Sequence, residues 1–420
     1  KRNDIQGLRA IAIFGVLLFH LAPKRFLNGF LGVDIFFVLS GYLMSSILSR
    51  EKSIDGAVVR GFYTRRFKRI VPLYSVMLAI LCIITPLVFL PSDVSHFITD
   101  MEWALPFAEN MQNVLKQFDY WDEVFNSPVL LHAWSLGVEI QYYLVVPFVM
   151  IIARCGETRR FRIMSFLAFM AVSYLIHFFS STTISFGLLF ARVWQFLTGS
   201  VFFELEDALD DAMPPQYQVS AFGPVDQEKL LVDDEEGLED QETCQFIIDT
   251  IHPTDSCWRF CSFIPPPWPI SYCVTLYLIW MVIMSVSGPT ISRLFVTFVT
   301  GNLLLIGKFT QNRILSNEIM VYIGDLSYLI YLAHWPVIIL YKYYIDVSEP
   351  TVPDMSLCIL TTLVISVLLH HSLERFFIVS STFIAFLFVF VVYSMILFAL
   401  VTGSLQRLSE HAHPIGGGGT

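Results

Sequence analysis

Leu8-Arg9-Ala10-Ile11-Ala12-Ile13-Phe14-Gly15-Val16-Leu17-Leu18-Phe19-His20-Leu21-Ala22 is apolar almost throughout, yet carries an arginine near one end and a histidine near the other. A continuous apolar block of this kind reads as a helix crossing a bilayer, since about 20 such residues cover the hydrocarbon layer. Eleven positions at about 100° each return Arg9 and His20 to within roughly 20° of one face. The helical rise puts them about 16 Å apart along the axis.

The same criterion, applied outward, places spans at 8–22, 30–49, 71–90, 137–153, 163–179 and 185–203, then at 269–286, 290–306, 322–345, 356–371 and 378–402, about eleven in all. Of the 420 residues 55% are hydrophobic and 15% charged, which excludes an ordinary soluble domain. The blocks are too long for the alternating strands of a membrane β-barrel. The expected fold is all-α, a polytopic, multi-pass membrane helical bundle.

Four regions follow: a membrane half over 1–203 that holds most of the polar motifs, an acidic hydrophilic insert over 204–268, a second membrane half over 269–402, and a flexible tail over 403–420 ending in Gly416-Gly417-Gly418-Gly419. The insert supplies the net charge of −10; outside it the chain is mildly basic. Pro214, Pro215, Pro253 and Pro265-Pro266-Pro267 break it up, so it reads as a regulatory or spacer loop with a short helix around Thr243 to Ile251. The seven cysteines are scattered, with Cys82, Cys273 and Cys358 inside apolar blocks, so neither a disulfide framework nor a metal site is expected. Cys257 and Cys261 are one helical turn apart and read as unpaired.

The run from Ile11 to Leu21 lacks the basic lead and small-residue cleavage site of a signal peptide. The chain begins at Lys1 without a methionine and is expected to be a segment of a longer protein, in which a leader or domain can precede it. Arg50, Lys52, Arg60, Arg65, Arg66, Lys68 and Arg69, with Arg154, Arg159, Arg160 and Arg162, assign their ends of the spans to the cytoplasm. The loop from Pro91 to Leu131 has one lysine, Lys116, against seven carboxylates and suits the other face. The N-terminus is then cytoplasmic, as is the insert, and the tail lies outside or in a lumen. Plasma membrane and endomembrane both remain open.

Ionisable residues within spans are costly and mark functional sites. For Arg9 and His20, snorkelling to headgroups and interfacial packing are as good a reading as function on spacing alone. Asp34 comes close in depth to His20 if the first two spans form a hairpin through Pro23, and could orient the imidazole. The competing reading is a helix-start carboxylate favoured by the dipole. Arg65, Arg66 and Arg69 stand where guanidinium groups could clamp phosphates, against the alternative of orientation signalling and contact with anionic lipid. Trp134 reads as an interfacial anchor. Glu139, one turn into the fourth span, needs a partner, with His20, Arg9 and Arg192 as candidates. His334 is either polar packing glue or part of a cavity. Ser40, Ser135 and Arg192 are further cavity candidates.

In order, these blocks resemble the acyltransferase 3 family, membrane proteins that O-acylate glycans and other acceptors from acyl-coenzyme A. The resemblance covers nearly the whole chain. It rests on Arg9-x10-His20, on Gly32-Val33-Asp34-Ile35-Phe36-Phe37-Val38-Leu39-Ser40-Gly41, on Arg66-x-x-Arg69, and on Trp134-Ser135 followed by Glu139. Arg192-Val193-Trp194-Gln195-Phe196-Leu197-Thr198-Gly199 and Ser327-Tyr328 through His334-Trp335-Pro336 complete it.

The resemblance implies that His20 is the central catalytic residue and that Arg9 belongs to the same essential motif. It implies that Arg66 and Arg69, with Arg65 beside them, hold a coenzyme A donor, acetyl-coenzyme A in the first instance. In chemical terms His20 acts as general base, Asp34 or Glu139 steadies the imidazolium, and Arg9 stabilises an oxyanion or positions the donor's phosphates. The implied partners are the bilayer, the donor and a hydroxyl-bearing glycan or lipid; no metal or nucleic acid is expected.

The long insert departs from a minimal core and is similar to the animal branch, with its nose-resistant-to-fluoxetine-like members. Many relatives with an eleventh span continue into an extracytoplasmic esterase-like domain, which here would lie beyond Thr420. A non-enzymatic carrier of lipids or small molecules on the same scaffold is the competing reading, and Arg9, His20, Arg66 and Arg69 together favour the enzyme. A channel would need a ring of pore charges or repeated spans, which the sequence lacks.

Overall fold

The computed structural model describes residues 2–116, 128–156, 158–212, 267–284, 289–310, 312–347 and 350–413. In chain order α1 is Asn3–Leu21, α2 Leu31–Ser49, α3 Gly56–Val88, α4 Pro91–Ala104, α5 Glu109–Lys116, α6 Ala133–Arg154, α7 Arg159–Phe179, α8 Thr182–Gly187 and α9 Leu189–Ala212. The second half contains α10 Pro267–Ile283, α11 Pro289–Phe309, α12 Glu318–Ile345, α13 Val352–Leu369, α14 Arg375–Val379, α15 Thr382–Val401 and α16 Ser404–Ala412. Among the described residues there is no strand.

Helices lie at all eleven expected spans. Nine of those among the described residues are long and apolar enough to cross a bilayer. Of the other two, α9 carries Arg192, Glu204 and Glu206 within its apolar sequence, and α10 is short. The protein is an all-α polytopic membrane protein.

α1 is the axis of the bundle, buried along most of its length between α2 and α12. Around it α2 packs on α9, α9 on α7, and α3 on α12 and α15. The α2–α9 contact is close because of two glycines. A Cβ at Gly41 would collide with the Phe196 carbonyl, and one at Gly199 with that of Val38. Small residues at such crossings bring backbones together where lipid supplies no hydrophobic drive. The outer helices are the reverse case: α15 turns Phe383, Phe386 and Phe390 outward, as a lipid-facing surface requires.

The start of α3 decides where the arginine block sits. Asp55 caps it, its carboxylate accepting from the Ala57 and Val58 amides at 3.0 and 2.8 Å. Arg65, Arg66 and Arg69 therefore belong to a helix continuous with the apolar part of the span. At α12 the Asn317 side chain caps in the same way, accepting from the Ile319 amide at 2.9 Å.

Three boundaries differ from the sequence reading. The sixth span runs on to Ala212, past the expected insert boundary at 204, because Glu204 and Glu206 are neutralised within the fold. Glu204 accepts from Arg162 at 2.9 Å, and Glu206 from Arg2 at 2.7 Å with Lys308 at 3.2 Å. The region from Pro91 to Leu131 contains α4 and α5. The tail expected to be flexible forms α16 against α3 and α4, with Ser409 Oγ donating to the Phe89 carbonyl at 3.0 Å. The insert's expected helix, Cys257, Cys261 and the terminal glycines lie outside the described residues.

Candidate active site

α1, α2, α3, α6 and α12 line a partly open cavity of about 90 Å³. Arg9 enters it from α1, Ser40 from α2, Arg66 and Arg69 from α3, Ser135, Glu139 and Tyr143 from α6, and Ser327, Tyr328 and Tyr331 from α12. Arg66 and Arg69 share a helix face because they are three residues apart. Arg65 lies off that face, is exposed, and does not line the cavity.

Several polar groups in the cavity are held by a neighbour on another helix or one turn away. Ser40 Oγ and the Tyr143 hydroxyl both donate to Glu139 Oε1 at short range. Arg9 Nε donates to Ser327 Oγ at 3.0 Å. The Tyr328 hydroxyl donates to the Ile70 carbonyl at 2.8 Å and ties α12 to α3. The Arg66 guanidinium stands 5.9 Å from the centre of the Tyr143 ring, while its buried Nε makes no hydrogen bond. None of the three arginines forms an ion pair among the described residues. Three guanidinium groups around one carboxylate leave the cavity positive, which suits an anionic group of the phosphate kind.

His20 does not line this cavity. It belongs to a buried cluster with His132, His334 and Trp335. His20 Nδ1 lies 2.8 Å from His334 Nε2, the two rings stack at 5.0 Å, and the Trp335 ring is 4.7 Å from that of His20. His132 meets His334 edge-on at 5.8 Å. Among the described residues no three His, Cys, Asp or Glu side chains are grouped as metal ligands.

Tyr331 joins the two places. Its hydroxyl donates to the His132 carbonyl at 2.6 Å, so the Ser135 hydroxyl, 2.5 Å away, is the donor to Tyr331. Its backbone carbonyl faces His334 Nδ1 at 2.8 Å. One residue is thus a wall of the cavity and a support of the histidine cluster.

Two expected partnerships are replaced. Asp34 does not reach His20: it accepts from Arg192 at 3.2 Å and from Gln195 at 2.6 Å, with Arg293 Nε at 3.9 Å. The close α2–α9 packing turns Asp34 towards α9, and a buried carboxylate requires such donors. Glu139 pairs with hydroxyls rather than with His20, Arg9 or Arg192. Trp134 is no interfacial anchor; it is buried against Phe37 and Phe186, with the Arg192 guanidinium 5.8 Å from its ring centre. Arg192 supports Asp34 and the Phe186 carbonyl and stays outside the cavity.

The cavity therefore gathers Arg9, Ser40, Arg66, Arg69, Ser135 and Glu139 of the expected site residues. His20 and His334 meet in the adjoining cluster. Tyr143, Tyr331 and His132 were not singled out by sequence. Helical spacing carries a signal for two of them: Tyr143 is four residues after Glu139, and Tyr331 three before His334.

Comparison with known proteins adds the family. O-acetyltransferase OatA of Staphylococcus aureus (strain NCTC 8325 / PS 47) is 36% identical over 149 residues, which is 34% of this chain and 24% of that protein. A Staphylococcus aureus (strain COL) protein provisionally named an O-acetyltransferase is 34% identical over 164 residues, 38% of this chain and 26% of its own length. The match thus spans about a quarter of the length of these curated relatives. No solved structure matches the chain. A model of the acyltransferase-domain family matches residues 2–371, nearly all of the membrane bundle. The chain belongs to the acyltransferase 3 family.

Proposed function

We propose that this chain is a membrane O-acyltransferase that moves an acyl group, acetyl in the first instance, from cytosolic acyl-coenzyme A to a hydroxyl of a glycan or lipid acceptor. The observation that carries this reading is the positive cavity, in which Arg66 keeps a buried Nε without a hydrogen bond. A buried guanidinium nitrogen without a partner is costly unless a ligand completes it. The phosphates of coenzyme A supply such a partner. The excess of Lys and Arg at the Arg66 end of the bundle supports entry from the cytoplasm.

The chemistry follows from the neighbouring groups. The acceptor oxygen attacks the thioester carbonyl carbon while His20 takes the hydroxyl proton. Arg9, about 16 Å from His20 along α1, joins Arg66 and Arg69 in holding the donor's phosphates. Collapse breaks the carbon–sulfur bond, and the departing thiolate takes the proton back from His20. The ester and free coenzyme A leave. Donor and acceptor approach from opposite sides of the layer formed by Tyr331 and Ser135, so that layer has to part for transfer to occur.

The test is to supply labelled acetyl-coenzyme A to the purified protein, with His20→Ala and Arg69→Ala beside the unmodified chain. Transfer of label to an acceptor or to water should depend on both residues. Label release unchanged in His20→Ala would refute the mechanism, and absence of donor binding would favour the carrier.

A further inference from the structure

His334 Nδ1 lies 2.8 Å from the Tyr331 carbonyl oxygen and 3.1 Å from that of Ile330. Carbonyl oxygens only accept, so this nitrogen carries a proton. A neutral imidazole has a single N–H, and His334 Nε2 is then a lone pair. That lone pair faces His20 Nδ1 at 2.8 Å. Two lone pairs would repel at this distance, whereas an N–H from His20 makes a good hydrogen bond. A positive charge on either ring would be buried away from water at a cost that a neutral imidazole avoids, so the resting pair is neutral.

We propose that His334 is a positioning residue that holds His20 as its Nδ1–H tautomer, making Nε2 the atom that takes the acceptor's proton. The inference rests on the acyltransferase reading for its catalytic meaning, though the tautomer itself follows from the geometry of a neutral pair. Orientation of a catalytic imidazole by its second nitrogen is a general device. Here a histidine, itself fixed by the backbone, performs it.

The α12 backbone explains why His334 holds its place. Trp335 Nε1 donates to the Pro128 carbonyl at 2.8 Å, and the Tyr331 hydroxyl is locked between Ser135 and the His132 carbonyl. Pro336 has no N–H for the Leu332 carbonyl. The helix is thus pinned on both sides of His334.

Solid-state NMR of the full chain in lipid bilayers, with ¹⁵N-labelled histidine and His20 assigned by its loss in His20→Gln, reads the tautomer directly. Unmodified protein and His334→Gln, whose side-chain oxygen can replace the Nε2 lone pair, should both show His20 as Nδ1–H. His334→Leu should lose that preference. In acetyl transfer, His334→Leu should lower kcat about 10²-fold with the donor KM unchanged, and His334→Gln should recover most of it. An Nε2–H His20 in the unmodified protein would overturn the proposal. So would an unaltered tautomer in a folded His334→Leu. An inactive protein whose His20 is Nδ1–H would count against the acyltransferase reading instead and leave the tautomer assignment standing.

Discussion

Asp34 and Arg192 form an ion pair at 3.2 Å inside the bundle, both almost wholly buried, with Gln195 bonded to the same carboxylate oxygen. Removing one member of such a pair leaves the other charge stranded. Asp34→Asn should therefore lower stability by about 3–5 kcal/mol, seen as a drop in Tm in detergent and in the yield of folded protein. An Asp34→Asn chain of normal Tm but no activity would instead return Asp34 to the catalytic role suggested by sequence.

Arg66 and Arg69 line the cavity while Arg65 faces away, so the three arginines should behave differently. Arg66→Ala and Arg69→Ala should each weaken acetyl-coenzyme A binding about 10- to 100-fold, the range for charge-assisted contacts to phosphate. Arg65→Ala should change it by less than about threefold, as an exposed charge does. Calorimetric titration with coenzyme A measures all three, and equal losses would refute the assignment.

Glu139 accepts from Ser40 and Tyr143 at a single oxygen. Tyr143→Phe and Ser40→Ala should each cost about 1–3 kcal/mol of transition-state or folding free energy. Because the three groups form one network, Tyr143→Phe combined with Glu139→Gln should cost less than the two losses added. A double-mutant cycle on kcat/KM, with Tm as control, checks this; strict additivity would mean that the contacts are not coupled.

Gly41 and Gly199 hold α2 against α9. Gly199→Val should push the helices apart and weaken the Asp34–Arg192 pair with them, so its Tm should fall by at least as much as that of Asp34→Asn. A folded Gly199→Val of unchanged Tm would contradict the packing described.

The spans are legible in sequence because length and hydropathy are local properties, and even α9 can be found despite Arg192 and Glu204. Most of the cavity is legible for related reasons: Arg9 and Glu139 are ionisable groups in apolar surroundings, which lipid penalises unless they are used, and Arg66 and Arg69 stand three apart in a basic block. Pairing is a different matter. Whether Asp34 meets His20 or Arg192 depends on which face of α2 turns to α9, a rotation to which the close contacts at Gly41 and Gly199 contribute. Tyr331 and His132 escape notice because a tyrosine or an interfacial histidine is ordinary in such a sequence. Their importance arises only once α12 and the chain before α6 are side by side.

The partners of α1 also have a consequence in time. Arg9 bonds Ser327 and His20 meets His334, 318 and 314 residues further along the chain. At a synthesis rate of ~5–20 residues per second, α1 waits some tens of seconds before the helix that completes it exists. Until then its arginine and histidine must be sheltered by the insertion machinery or by early neighbours such as α2. The first helix to be made is among the last to be satisfied, and a chain cut short before α12 would present both side chains to lipid, a mark by which quality control could recognise it.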